Sequence, residues 1–227
     1  MKNRKIWVML VGLFTALTNG FMGTTLTFAE ENEASQTIEQ PSYISDFPNQ
    51  VGHWQDLVGT AEKKNDSAGL WIANTKQGTN LESVSINLDA REQSSGDLEL
   101  TFLYEGQSNF GLVFRGDKQK TSQWQSFAYN RDGRWQLGQP GGKWLTNIPG
   151  PTLLSGQQYK LLVRYDGKKI QTFLNDQLFY ENEEVHYPDG TSINDDWMGA
   201  VGIRLFGNLS KLNIISMKSG RSEEHTS

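Results

Sequence analysis

The 227-residue chain has no cysteine, three histidines, six prolines and no lysine or arginine stripe. Without cysteine there is no disulfide framework, so a stable fold must come from burial. The histidines, His53, His186 and His225, are scattered and spell out neither a zinc site nor a Ser-His-Asp triad. A formal net charge of −5 lacks the electrostatic footprint of a nucleic-acid binder. Arg131 and Arg134 beside aromatic residues do not restore it. Paired carboxylates able to flank a glycosidic bond are also missing. Asp97 and Glu99 alternate but face away from the apolar side of their strand, and Glu181, Glu183 and Glu184 fall in a polar loop. No segment has a convincing helical period, although Ile193 to Trp197 has room for one short helical turn.

The only long apolar run lies at the N-terminus. A basic start (Lys2, Arg4, Lys5), an apolar stretch from Ile6 to Phe14 and a small-residue site ending at Ala29 read as a signal peptide over residues 1–29. Polar Thr18, Asn19 and Gly20 interrupt the run early, which argues against a retained membrane span. Secretion follows, with a cysteine-free composition common among exported proteins of Gram-positive bacteria. Residues 30–50 are polar, acidic and without period, as in a linker. Residues 221–227 match the in-frame translation of a sequencing-adapter oligonucleotide. They are expected to be an artefact tail on a longer reading frame truncated after Gly220.

Between these ends, with 23 glycines and 11 % aromatics, the chain is a succession of short apolar runs and turn signals. Leu98, Leu100, Phe102 and Tyr104 take one face with Asp97, Glu99 and Thr101 on the other; Val84, Ile86 and Leu88 alternate with Ser85 and Asn87, and Tyr159, Leu161, Val163 and Tyr165 with Lys160, Leu162 and Arg164. Val201, Ile203 and Leu205 alternate with Gly202 and Arg204, and residues 212–217 form a closing strand. Asp166-Gly167 and Asn175-Asp176 are hairpin signals, and Lys63 to Ser67 reads as a polar turn. The expected fold is all-β, a two-sheet antiparallel β-sandwich over residues 51–220.

Residues 109–144 carry the functional signal, with Trp124, Trp135 and Trp144 interleaved with Arg, Asn, Gln and Asp. Aromatic rings beside planar polar groups suit a sugar, with its apolar faces and rim of hydroxyls. The candidate ligand-binding residues are Arg115, Trp124, Tyr129, Asn130, Arg131 and Trp144, and Trp144 leads because it follows Gly141-Gly142 in a loop. Small Ser126 and Ala128 beside Trp124 would leave space on a concave face. The competing reading packs Trp135 and Phe127 between sheets and pairs Arg115 at an edge.

Three features carry a family resemblance. They are His53-Trp54-Gln55-Asp56-Leu57 with the following Gly-Leu-Trp-Ile strand, the block Gly111-Leu112-Val113-Phe114-Arg115, and Tyr165-Asp166-Gly167-Lys168-Lys169-Ile170 with Leu174-Asn175-Asp176. Together they resemble the concanavalin A-like, laminin-G-type jelly-roll module of secreted bacterial glycoside hydrolases. Relatives include the sandwich domain of endo-α-N-acetylgalactosaminidases and the family 66 carbohydrate-binding modules of levanases. The resemblance implies a non-catalytic carbohydrate-binding module that binds a polysaccharide or glycoprotein glycan. It also implies a catalytic domain in the missing C-terminal part, active on mucin-type O-glycans or fructans. It further implies a structural calcium, for which Asp195 and Asp196 are the candidate ligands, with Asn194, Asp189 and Asn208 nearby in sequence. The alternative is a structural or adhesive sandwich that packs on a catalytic neighbour or protein partner without sugar affinity.

Overall fold

The computed structural model describes residues 45–46, 53–66, 69–74 and 81–220. The expected signal peptide, most of the expected linker and the C-terminal tail lie outside these residues.

Among the described residues fifteen strands, numbered β1 to β15 in chain order, form two sheets, and every strand pairing is antiparallel. The first sheet runs β13 (Gln177–Asn182), β12 (Lys169–Leu174), β11 (Gln157–Asp166), β6 (Gly96–Tyr104), β15 (Lys211–Gly220), β4 (Gly69–Ala73) and β3 (Glu62–Asp66). The second runs β10 (Lys143–Ile148), β9 (Trp135–Gln139), β8 (Gln125–Tyr129), β7 (Asn109–Gly116), β14 (Ala200–Phe206), β5 (Glu82–Asn87) and β2 (Trp54–Val58). The chain is a two-sheet β-sandwich.

Alternation builds the core. Leu98, Leu100 and Phe102 of β6 and Leu161, Val163 and Tyr165 of β11 are fully buried and face Phe110, Leu112 and Phe114 of β7. The sheets meet through ring pairs: Phe102 stands edge-on to Phe110 at 4.8 Å, and Phe114 stacks on Tyr165 at 4.8 Å. Each large apolar side chain sunk in this layer contributes roughly 1.5–3 kcal/mol.

Both hairpin signals form their turns. Gly167 takes φ 52° between β11 and β12, and Asn175 and Asp176 take φ 50° and 66° between β12 and β13. Two local expectations are corrected. Lys63 to Asp66 is not a turn but part of β3, an edge strand in register with β4 from Glu62↔Ala73 to Asp66↔Gly69. A one-sided edge strand tolerates charge, and Lys64 lies over the Trp71 ring at 5.2 Å. Residues 193–197 form no helical turn, because the Asn194 carbonyl accepts hydrogen bonds from Arg115 and Gln125 instead of from its own segment.

Within the stretch expected as linker, β1 (Ser45–Asp46) pairs with Lys218 and Ser219 of β15. β4 pairs with β15 only over Lys211 to Ile214, and β1 takes up backbone groups farther along the same edge.

Candidate functional site on the outer face of the second sheet

Register fixes which side chains share the outer face of the second sheet. One cross-strand row holds Gly202, Val113, Ser126, Gly138 and Trp144; the next holds Val84, Arg204, Gly111, Ala128 and Gln136. The floor is made of small residues, so long side chains from its margins lie flat across it.

Trp144 is one of these. The three-residue connection Pro140-Gly141-Gly142 joins β9 to β10, and Gly141 and Gly142 take φ 88° and 78°, a left-handed region that a side chain would disfavour. The connection delivers half-buried Trp144 opposite Gly138. A Cβ placed on Gly138 would stand 2.1 Å from Trp144 Cε3, so the indole rests directly on the glycine.

Arg204 is the other. Its guanidinium carbon lies 4.2 Å from the centroids of Trp144 and Phe206 and 5.5 Å from that of Trp124. Arg204 Nε donates to Glu82 Oε1 at 2.5 Å. Burial pulls the Arg204 pKa below its ordinary value, and the Glu82 carboxylate opposes that shift. Among the described residues Arg204 Nη1 has no hydrogen-bond acceptor, although Arg204 is only 8 % exposed. Trp124, 2 % exposed, closes the group, its ring 6.2 Å from that of Trp144 and its indole N–H bonded to the Thr121 carbonyl. These side chains line a depression of about 360 Å³ whose rim includes Thr121, Ser122 and Glu82. A half-buried indole, a carboxylate, a guanidinium and two hydroxyls can together stack on a sugar face and bond its hydroxyls in both directions.

The sequence-derived candidates are dispersed. Trp124 and Trp144 meet at this depression. Asn130 lines a separate, smaller one with Arg134, Gln136, Thr146 and Asn147. Arg131 is exposed, and its backbone N–H donates to Asn109 Oδ1. Tyr129, 1 % exposed, is a core residue: its ring is 4.8 Å from that of Trp135, and its hydroxyl accepts from the Leu153 N–H. Its inward placement follows from pairing with Phe110 of the core row.

Arg115 is fully buried. Strict alternation would put it outward with Gly111 and Val113, but the β7–β14 register shifts there and Arg115 takes φ 55°. This bulge swings the side chain off the outer face. Its guanidinium donates to the carbonyls of Ser94, Asn194 and Gly167 and to Gln125 Oε1, and it lies 5.3 Å from the Tyr165 ring centroid. Arg115 ties loops together and has no free donor face for a ligand.

The same geometry bears on calcium. Among the described residues no group of three or more His, Asp or Glu side chains could hold a metal ion. Burial pulls the Arg115 pKa below its ordinary value, a shift that nearby Asp195 opposes, and the adjoining Asn194 carbonyl is turned to Arg115 and Gln125. With that carbonyl engaged and no third carboxylate or imidazole grouped with them among the described residues, Asp195 and Asp196 do not fit calcium coordination.

Glu82, Arg204 and Phe206 were missed as site residues. The alternation along β14 did place Arg204 opposite the core positions, the one available signal. Glu82 enters only through its register with Phe206, which no local pattern reveals.

No family model matches the chain. Among solved structures, it is similar to a galectin-like fold protein of unknown function from Bacillus subtilis (TM-score 0.56, 12 % identity, covering 81 % of this chain and 100 % of that one). It is also similar to the exoplasmic/lumenal domain of VIP36 in its Ca2+-bound form (TM-score 0.51, 15 % identity, covering 81 % and 92 %). A third match is the family 66 carbohydrate-binding module from Bacillus subtilis (TM-score 0.48, 16 % identity, covering 70 % and 94 %). The first two matches show that the chain shares the galectin-like, lectin-type β-sandwich fold.

Proposed function

We propose that the protein is a secreted, non-catalytic carbohydrate-binding module that takes sugar on the outer face of its second sheet. The observation that carries this reading is the Trp144 platform. The indole is half-buried on Gly138, is backed by Arg204 and opens onto a depression rimmed by hydroxyl and carboxylate groups. Trp144 stacks on a sugar ring, Arg204 and Glu82 bond its hydroxyls, and Trp124 holds Trp144 in place. The galectin-like fold, and the mannose-bound form of the VIP36 domain, are in keeping with this role. Among the described residues Glu82 is the one carboxylate lining the depression and is tied to Arg204, whereas glycoside hydrolysis ordinarily uses two carboxylates. The module leads a larger extracellular glycoside hydrolase acting on mucin-type O-glycans or fructans and is exported by its N-terminal leader.

The full chain without residues 1–29, applied to an array of fructans, mucin O-glycans and plant glucans, tests the proposal. Retention of one or more glycans is expected. Retention of none leaves the structural or adhesive reading in its place.

A further inference from the structure

We infer that the outer face of the second sheet binds an uncharged, linear glycan along its length with both chain ends free, and that Asn130, Arg134, Gln136 and Thr146 form a second sugar subsite. This rests on sugar binding at Trp144 and adds the mode of recognition.

The first support is placement. Besides the Trp144 depression, two others open on the same face. One of about 370 Å³ is lined by Leu81, Glu82, Arg204, Phe206 and Gly207, and so shares Glu82 and Arg204 with the first. The other, of about 180 Å³, holds Asn130, Arg134, Gln136, Thr146 and Asn147. Register puts Gln136 in one row with Ala128, Gly111 and Arg204, so the Gln136 depression lies toward β10 and the Phe206 depression toward β5. The Trp144–Arg204 stack lies between them. From β5 to β10 the strip crosses five inter-strand steps, about 24 Å, enough for several sugar units. A site for a chain terminus needs a wall at one end; this row of shallow depressions runs across the sheet to its edge strand β10.

The second support is charge. The cations on the strip are already matched within the protein: Arg204 by Glu82 at 2.5 Å, and Arg134 by Asp132 at 2.9 Å. No excess positive charge is left to attract a uronate or sulfate. The remaining polar groups at the second subsite are the amides of Asn130, Gln136 and Asn147 and the hydroxyl of Thr146, which both donate and accept, as sugar hydroxyls do. Arg134 Nη1 donates to Asn147 Oδ1 at 3.1 Å and so fixes the orientation of that amide.

The test titrates the leaderless full chain with inulin-, cello-, xylo- and malto-oligosaccharides from monomer to octamer, and with oligogalacturonate as the charged probe. In a responding neutral series, affinity should rise at least about tenfold from dimer to hexamer, and derivatising either chain end should leave it unchanged. Arg134→Ala combined with Gln136→Ala should flatten the rise. Both side chains lie on the surface, so an unaltered thermal transition will show that the variant folds. Length-independent binding, loss of affinity on capping an end, or tighter binding of oligogalacturonate would overturn this inference while leaving sugar binding at Trp144 intact. Binding of no saccharide in this series would overturn this inference, and retention of no glycan on the array of fructans, mucin O-glycans and plant glucans would overturn sugar binding at Trp144 as well.

Discussion

The guanidinium of Arg204 lies 4.2 Å from the centroid of the Trp144 ring, so a cation from β14 and an indole from β10 meet although three strands separate theirs. They can meet because Gly111, Ala128, Ser126 and Gly138 leave the sheet surface between them bare. Arg204 lies over the indole, and Gly138 lies against it. Replacing Arg204 with Lys removes the planar stack while keeping the charge. The expected outcome is a glycan affinity lowered about tenfold, roughly 1.4 kcal/mol, with a smaller loss of thermal stability. Calorimetric titration beside a melting curve separates the two effects.

Gly138→Ala tests the position of the platform. The new methyl would meet Trp144 Cε3 at 2.1 Å and the Lys143 carbonyl oxygen at 2.6 Å, so the ring and the start of β10 must both shift. Tryptophan emission should shift and binding weaken several-fold while the sandwich stays folded. An unchanged affinity would show that the position of the ring does not matter.

Arg115 is expected to matter for stability alone. Arg115→Met strips a donor from the Ser94 and Gly167 carbonyls and from Gln125 Oε1, while the Asn194 carbonyl keeps its bond from Gln125 Nε2. Losses of this kind cost about 1–3 kcal/mol each when uncompensated, so an overall loss of at least about 3 kcal/mol is expected in urea unfolding. Wild-type protein should show no stabilisation by calcium, because the guanidinium already holds the Asn194 loop. A calcium-dependent rise in melting temperature would contradict that assignment.

Much of the fold was legible because a half-buried strand records its two faces as a period of two. Leu98 to Tyr104 and Tyr159 to Tyr165 were assigned to a core face in this way, and the Asn175-Asp176 turn through residues that tolerate positive φ. The site was harder to read, because it is made by register between strands far apart in sequence. Glu82 and Arg204 stand 122 residues apart and become partners only when β5 pairs with β14. Arg115 was misplaced for a related reason: one bulge shifts the alternation that every face assignment depends on. Tyr129 looked like a binding aromatic because composition does not distinguish a ring in the core from one over a groove. The loop that carries Trp144 is legible because Gly141 and Gly142, the glycines before it, take positive φ.

Alkaline pH should weaken the fold through Tyr165. Burial pushes its phenol from 10.0 up to about 12, partly offset by the Gln93 hydrogen bond and the nearby Arg115 charge. The unfolded chain then loses the phenolic proton first, so this contribution to stability is complete below about pH 10 and is lost as pH rises toward 12. Two pH units correspond to about 2.7 kcal/mol from this one residue. Urea denaturation at stepped pH should show the decline, and Tyr165→Phe should reduce its slope.

The most direct measurement compares the leaderless full chain with its Trp144→Ala variant on one glycan array, alongside thermal unfolding of both. The expected result is retention of at least one neutral glycan by the wild type and its loss in the variant, with similar melting temperatures. Wild-type protein that retains no glycan, or a variant that retains it equally well, would contradict sugar recognition at the Trp144 platform.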